Sequence, residues 1–201
     1  MLFRSLDVKD DNILKHTIGV VIRALDNVID LNYYPIPFAK ITNHKYRPIG
    51  LGTSGYHHML VKEGISFESD EHLEFIDELY EKINYFALLA SCDLAKEKGS
   101  YGLFEGSDFQ TGAYFKKRNY QNETWQILQK DIQQYGLRNG YLLAIAPTSS
   151  TSIIAGTSAA VDPIMKKYFM EEKKGSMIIR VAPDLDAKTF WLYKNAHHID
   201  Q

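Results

Sequence analysis

Five hydroxyl residues stand in succession at residues 148–152 and directly follow an apolar run and a proline. The apolar run, residues 141–146, is typical of a buried strand, although its periodicity alone fits a buried helix equally well. If the small apolar residues 153–156 begin a helix, its first backbone N–H groups lack partners within the helix and point back at the hydroxyl groups. Hydroxyls and free N–H groups at the positive end of a helix dipole form a site for a phosphate.

The same residue types also fit a less specific interpretation. Serine and threonine are common in loops and at helix N-caps, where their side chains satisfy backbone N–H groups. The Gly-Lys-Ser/Thr signature of a Walker loop is absent from this segment. The residues alone therefore leave open whether residues 148–152 bind a phosphate or form an ordinary capped loop.

A second candidate is Gly50-Leu51-Gly52-Thr53-Ser54-Gly55, which matches the G-x-G-x-x-G pattern of dinucleotide-binding proteins. That chemistry requires a strand before the glycines, a helix after them and an acidic residue about 20 positions further on. Pro48 stands where the strand should end, and Glu68 and Asp70 lie at a predicted helix start. We therefore expect a glycine-rich helix entrance packed against a neighbouring element.

Metal binding and cysteine chemistry receive little support from the sequence. The pairs His57-His58 and His197-His198 have no ligand partner at i, i+4, and adjacent side chains on a helix point about 100° apart. We expect solvated or half-buried histidines and no metal site. Cys92, the single cysteine, excludes an internal disulfide. It lies in the middle of a predicted helix without a base nearby, so we expect a structural thiol.

Composition and charge narrow the class of protein. The 201 residues carry a formal net charge of −2 and 45% hydrophobic residues, which is typical of a globular domain and gives no broad basic surface for nucleic acid. No run of about 18 apolar residues is present, and the N-terminus lacks the pattern of a signal peptide. We therefore expect a cytoplasmic protein without nucleic-acid or membrane partners.

The elements that must position these residues are mostly helices. Helical spacing of apolar residues predicts a first helix over residues 12–32, which ends before two prolines. A short helix is predicted over residues 56–63, and the longest helix runs from an N-cap at Ser69 or Asp70 to Gly99. The predicted buried stripes contain Leu14, Ile18, Val21, Leu25 and Val28 on the first helix, and Leu73, Ile76, Tyr80, Ile83, Ala87, Ala90 and Leu94 on the longest.

The second half of the chain predicts further helices and a few short strands. Residues 101–118 are predicted to be a loop, and a helix that carries Trp125 ends at Gly136. A last helix is predicted from Asp186 to Gln201. The expected fold class is therefore α/β and mostly helical.

Several segments, in a fixed order, together resemble the catalytic large subunit of class I ribonucleotide reductase over essentially the whole chain. Each piece is weakly specific, and the specificity lies in their combination and order. The pieces are Arg23-Ala24-Leu25-Asp26-Asn27-Val28-Ile29-Asp30, Tyr34-Pro35, Arg47-Pro48-Ile49-Gly50-Leu51-Gly52, Phe67-Glu68-Ser69, Ala90-Ser91, Leu94-Ala95, Tyr101, Phe104-Glu105-Gly106-Ser107, Gly136-Leu137-Arg138-Asn139, Ala146-Pro147-Thr148-Ser149-Ser150-Thr151, Val161-Asp162-Pro163 and Val181-Ala182-Pro183.

The resemblance implies a partial segment of the family's ten-stranded α/β barrel, with residues 141–146 as one strand. In that family a Pro-Thr-x-Ser-Thr loop holds the phosphates of the ribonucleoside diphosphate substrate. The resemblance therefore assigns substrate binding to Thr148, Ser149, Ser150 and Thr151, and it implies a role in deoxyribonucleotide synthesis.

The sequence also departs from the family pattern. The family uses a thiyl cysteine in an Asn-x-Cys-x-Glu segment, a cysteine pair, two adjacent radical-relay tyrosines and an ATP-binding allosteric domain. Residues 1–201 contain no such cysteine segment, cysteine pair or allosteric domain, and Cys92 matches none of the cysteine roles. The adjacent pair Tyr33-Tyr34 is in the wrong place to replace the relay tyrosines. We therefore expect residues 1–201 to be a single fragment of the barrel domain, without catalytic residues and inactive alone.

The resemblance implies partners and cofactors outside this chain. The expected partners are the remaining portions of the large subunit, a radical-generating small subunit and a ribonucleoside diphosphate. The expected cofactors are a metal in the small subunit and a thioredoxin-type reductant, with none in this chain. Two alternatives remain open: a non-catalytic helical interaction module, and a small dinucleotide-dependent oxidoreductase built on Gly50 to Gly55.

Overall fold

The computed structural model describes residues 2–4, 10–173 and 175–199. The architecture is α/β and mostly helical, which confirms the expected fold class. The elements in chain order are β1 (Leu2–Arg4), α1 (Asp11–Leu31), α2 (Pro37–Tyr46), β2 (Pro48–Ser54), α3 (Tyr56–Glu63), α4 (Asp70–Lys98), α5 (Asp108–Thr111), α6 (Ala113–Lys117), α7 (Glu123–Tyr135), β3 (Tyr141–Leu143), α8 (Thr151–Ala155), β4 (Tyr168–Lys173), β5 (Ser176–Val181) and a 3-10 helix (Ala196–His198).

The chain divides into two compact units. The first unit comprises residues 11–51 and 81–144, and the second comprises the described parts of residues 2–10, 52–80 and 145–201. Strand β2 and helix α4 each continue from one unit into the other along the chain. The sequence-based expectation of a single domain stays a prediction. Within the described residues, no helix is both long enough and apolar enough to cross a membrane.

Helices α1 and α4 run parallel in the first unit. Lys82 Nζ lies 3.3 Å from Asp11 Oδ1, and the Arg23 guanidinium donates to both carboxylate oxygens of Glu97 at 2.8 and 2.6 Å. Because the second pair lies further towards the C-terminus of both helices, the two helices share one direction. Parallel neighbouring helices are the arrangement that βαβ connections produce.

The apolar stripes of α1 and α4 are confirmed only in part. Leu14, Ile18 and Val21 are buried as predicted, whereas Val28 is 55% exposed and Leu73 of α4 is 62% exposed. The buried face of α1 passes instead through Ile22, Asp26 and Ile29. A helix period of 3.6 residues lets two neighbouring stripes compete, and the polar partners of Asp26 decide which one turns inward.

The strands are short and mostly parallel. In the second unit β1 pairs in parallel with the end of β2, with Leu2 opposite Gly52 and Arg4 opposite Ser54. In the first unit β3 pairs in parallel with the start of β2, with Pro48 opposite Tyr141. The strands that the structure describes do not close into a barrel, which agrees with a partial barrel segment.

The predicted buried strand over residues 141–146 is only partly correct. Strand β3 covers Tyr141–Leu143, and its ladder ends where Ala144 N donates to Leu51 O at 2.9 Å. Tyr141 and Ile145 are 63% and 50% exposed, so one face of this segment remains uncovered. Pro147 has no N–H group with which to continue the ladder.

The sequence analysis did not predict helix α2 or the helices α5 and α6. Pro37 does not merely stop the preceding helix but opens α2, since proline is favourable in the first turn of a helix. The predicted loop over residues 101–118 contains α5 and α6, separated by Gly112 at φ 79°. The side chain of Ser107 caps α5 by accepting a hydrogen bond from Gln110 N.

The predicted last helix over residues 186–201 is wrong. Asp186 Oδ1 accepts hydrogen bonds from the backbone N–H groups of Lys188 and Thr189 at 2.7 and 2.8 Å. These are the bonds of a helix N-cap, but only isolated helical turns follow, with Phe190 N donating to Asp186 O at 2.9 Å and Tyr193 N to Thr189 O at 3.2 Å. Only the short 3-10 helix forms in this stretch, and β4 and β5 upstream of it form an antiparallel hairpin. Residues 200 and 201 lie outside the described part of the chain.

A buried carboxylate joins four elements of the first unit. Asp26 of α1 is fully buried and accepts hydrogen bonds from Arg47 Nε at 2.8 Å, Arg138 Nε at 3.2 Å and Asn139 Nδ2 at 3.1 Å. Burial by itself raises the pKa of Asp26, but the hydrogen bond and charge of Arg47, together with Arg138, outweigh burial and lower it. Ser91 of α4 donates to Asn139 Oδ1 and completes the cluster.

We expect Asp26→Asn to destabilise the protein by about 3–5 kcal/mol, because it removes the buried carboxylate that pairs with both Arg47 and Arg138 and leaves the buried Arg47 guanidinium with only the half-exposed Asp30. Asp30 is the matched control, since its half-exposed carboxylate also binds Arg47, at 2.9 and 2.8 Å. Asp30→Asn should cost about 1 kcal/mol or less. Urea denaturation measures both variants, and equal losses would contradict a dominant role for Asp26.

Candidate functional site: the hydroxyl loop after β3

Thr148 is the anchored residue of the hydroxyl loop. Its side chain is buried, and its backbone has a φ of 49°, in the left-handed region that non-glycine residues rarely adopt. Thr148 Oγ1 accepts a hydrogen bond from Ala160 N at 2.8 Å and lies 3.2 Å from Ser54 Oγ. These two contacts hold the side chain inside the second unit and compensate the cost of the unusual backbone.

The next three residues, Ser149, Ser150 and Thr151, are exposed. Within the described part of the chain, their backbone N–H groups and hydroxyls donate no hydrogen bond to another protein group. Ser152 is buried, and its N–H donates to Thr148 O at 2.9 Å, which closes the turn at the start of α8. The side chain of Ser150 makes no capping bond to α8, so its hydroxyl is not used by the helix.

The structure therefore brings the sequence-predicted residues together with different roles. Thr148 faces inward and fixes the loop, whereas the three residues after it present unused donors to solvent. Unpaired N–H and O–H donors on adjacent residues are suited to the oxygens of an anion.

Both histidines of the first pair are buried, contrary to the expectation of solvated or half-buried side chains. His57 is 0% exposed, and its Nδ1 accepts a hydrogen bond from Ile164 N at 3.0 Å. His58 is 2% exposed and lies between Thr157 and Asp184. All residues of α3 from Tyr56 to Val61 are buried, so this part of the helix carries the histidines inward. His197 and His198 are exposed.

The described residues contain no group of three or more His, Cys, Asp or Glu side chains that could hold a metal ion. Cys92 is fully buried in α4, and burial raises its pKa to about 11. A thiol with this pKa is protonated at neutral pH and is a poor nucleophile, which agrees with the predicted structural role.

The glycine pattern does not have the geometry of a dinucleotide site. Gly50 and Gly52 lie within β2 instead of in a turn after it. Gly55 does form the predicted helix entrance, with a φ of 90° at the N-cap of α3. A side chain at this position would clash with Thr157 Oγ1, so the close approach of the two segments requires glycine.

The sequence analysis did not predict the residues that form the polar network next to the loop. Ser54, Thr157, Ser158 and Asp184 all belong to the polar network around Thr148 and His58. They lie up to 130 positions apart in the chain and have no periodic pattern. The sequence feature that could have indicated them is the pair of small polar residues Thr157-Ser158, which directly follows Gly156.

Comparison with known proteins agrees with this architecture. Residues 3–200 match the family described as "Ribonucleotide reductase, barrel domain". The chain belongs to the ribonucleotide reductase barrel family. The resemblance found in the sequence is thereby confirmed.

Curated relatives of the chain carry the reductase name. It is 59% identical over 201 residues to the ribonucleoside-diphosphate reductase subunit alpha of Treponema pallidum, which covers 100% of this chain and 24% of that protein. It is 43% identical to the subunit alpha of Helicobacter pylori strain 26695 (93% and 25% covered) and 37% identical to the large subunit of variola virus (78% and 21% covered). The chain thus spans about a quarter of the length of these relatives.

The pH dependence of stability tests whether His57 of α3 is buried in the folded protein. Burial, with His72 and His58, lowers its pKa to about 4, from 6.5 when unperturbed. Between these values the unfolded chain binds a proton that the folded chain does not, so the free energy of unfolding falls as the pH falls through this range. The expected loss between about pH 7 and about pH 5 is about 2 kcal/mol.

We expect His57→Asn to remove this part of the pH dependence, because its amide oxygen can still accept from Ile164 N and does not titrate. Urea denaturation of both proteins at the two pH values gives the difference. His197→Asn, at an exposed histidine, is the control and should keep the wild-type pH dependence. An identical pH dependence in wild type and His57→Asn would show that His57 titrates normally.

Proposed function

We propose that this chain forms part of the substrate-binding region of a ribonucleoside-diphosphate reductase large subunit. In this proposal Thr148 anchors the loop, and Ser149, Ser150 and Thr151 bind the diphosphate of the substrate. The observation that carries it is the set of unused N–H and hydroxyl donors at three successive exposed residues behind a buried, hydrogen-bonded threonine.

The chemistry of the loop suits a diphosphate. Phosphate oxygens accept several hydrogen bonds each, and backbone N–H groups that are already held in place lose little entropy on binding. The loop itself contains no lysine or arginine. It can therefore orient the phosphates through fixed dipoles, while the affinity that comes from opposite charge must be supplied by other groups.

The reaction of the whole enzyme would be the reduction of ribonucleoside diphosphates to deoxyribonucleoside diphosphates in the cytoplasm. It needs thiol chemistry that a single buried cysteine cannot supply, since a two-electron donor requires a pair of thiols. We infer that the remaining portions of the large subunit provide the sulfur groups. A small subunit with a radical-generating metal cofactor and a thioredoxin-type reductant would complete the system.

Isothermal titration with a ribonucleoside diphosphate tests the loop. We expect Ser150→Ala and Thr151→Ala each to weaken binding by about threefold to tenfold, the value of one hydrogen bond. Thr42→Ala, at an exposed threonine of α2, is the matched control and should bind like wild type. No binding by the wild type at millimolar ligand would refute the proposal and favour a non-catalytic interaction module.

A second prediction concerns turnover. The 201-residue chain by itself, supplied with a small subunit, a thioredoxin-type reductant and a ribonucleoside diphosphate, should form no deoxynucleotide. The physical reason is that Cys92 is buried and protonated at neutral pH. Chromatographic detection of a deoxynucleotide product, absent from a mixture without the chain, would overturn this expectation.

A further inference from the structure

We propose that His58 is a positioning residue for the phosphate loop: its ring joins Asp184 to Thr157 and so fixes the segment 157–160 that holds Thr148. The inference rests on the function proposed above and deepens it. The described bonds of His58 lead to Thr157, Ser158 and Asp184, so the route proposed here from His58 to the loop runs through the segment 157–160.

The ring of His58 uses both nitrogens. Nε2 lies 3.1 Å from Asp184 Oδ2, and Nδ1 lies 3.0 Å from Thr157 Oγ1. Lys62 Nζ also contacts Asp184 Oδ2, at 2.5 Å. Lys62 and then His58 lower the pKa of Asp184, so its carboxylate is ionised at neutral pH and can only accept hydrogen bonds.

This arrangement selects one tautomer of the ring. Because the Asp184 carboxylate only accepts, Nε2 must carry a proton, and in the neutral ring Nδ1 is then the acceptor. In this form of the ring Thr157 donates its hydroxyl proton to Nδ1. The hydroxyl of Thr157 is thereby held in one orientation by the Nδ1 atom of His58.

The segment 157–160 carries this constraint to the loop. The backbone N–H of His58 donates to Ser158 Oγ at 3.1 Å, and Ser54 Oγ donates to Ser158 O at 3.1 Å. Two residues further on, Ala160 N donates to Thr148 Oγ1 at 2.8 Å. One short segment thus contacts His58 at its start and Thr148 at its end.

Gly55 shows that the position of Thr157 is constrained by packing as well. A side chain at residue 55 would clash with Thr157 Oγ1, and the φ of 90° there suits only glycine. Thr157 therefore lies against the helix entrance with its hydroxyl directed at the ring of His58. Loss of the ring nitrogen would leave a buried hydroxyl without its acceptor, at a cost that a small shift of the segment could relieve.

Two conservative variants separate positioning from packing. The side-chain amide of His58→Asn can place an acceptor where Nδ1 lies and keep the bond to Thr157. The longer side chain of His58→Gln can place a donor where Nε2 lies and keep the bond to Asp184 instead. Each variant removes the ring and one of its two bonds, so a general packing defect should affect both alike.

Titration calorimetry with uridine diphosphate and with inorganic pyrophosphate measures the effect on the loop. We expect His58→Gln to bind both ligands about tenfold more weakly than wild type, and His58→Asn to stay within about threefold. If both variants bind like wild type, or weaken equally, the positioning role is overturned while the proposed function of the loop stands.

Nuclear magnetic resonance provides a readout that does not depend on the ligand. The 15N shifts of the wild-type imidazole should show a proton on Nε2, and the amide shifts of Thr148 and Ala160 should move in His58→Gln but not in His58→Asn. A proton on Nδ1 or unchanged amide shifts in His58→Gln would overturn the inference. If wild type binds neither ligand, the proposed function fails, and these shifts still decide whether His58 orders the segment.

Discussion

The first unit depends on the hydrogen bonds and ion pairs that the Asp26 carboxylate forms. The carboxylate is fully buried and binds Arg47, Arg138 and Asn139, which come from the end of α2 and the approach to β3. A buried charge is tolerated only when it is paired and fully hydrogen-bonded, so the four elements around it must hold their mutual positions. The start of β3 is fixed by this requirement.

The second unit follows a similar rule with neutral groups in place of charges. Thr148, Ser54 and Ser158 form a buried chain of hydroxyl and backbone hydrogen bonds, and His58 extends it to the carboxylate of Asp184. Satisfied buried polar networks specify one arrangement, because any other leaves a donor or acceptor unpaired. The exposed donors of the loop thus adjoin a buried and hydrogen-bonded network, which is the arrangement on which the proposed anion site rests.

Sequence reasoning worked best where a local signal decides the structure. Helices α3, α4 and α7 end at Gly64, Gly99 and Gly136, which were predicted from the glycine C-cap rule. It failed where a helix-start signal is followed only by isolated turns, as at Asp186, and where a proline admits two interpretations, as at Pro37. The hairpin of β4 and β5 gave no clear alternation, because its side chains are exposed on both faces.

The sequence by itself determined the family, the helical fold class and the position of the hydroxyl run directly after a strand, because ordered motifs and cap residues are local properties of the chain. Only the tertiary structure decided that Asp26, Arg47 and Arg138, from three separate motifs, form one buried charge cluster. It also decided that Thr148 turns inward, and that His58 is enclosed and bonded to Asp184. Whether a side chain is buried, and which groups it binds, depends on residues that are distant in the chain. A local sequence pattern does not indicate which of those residues come into contact.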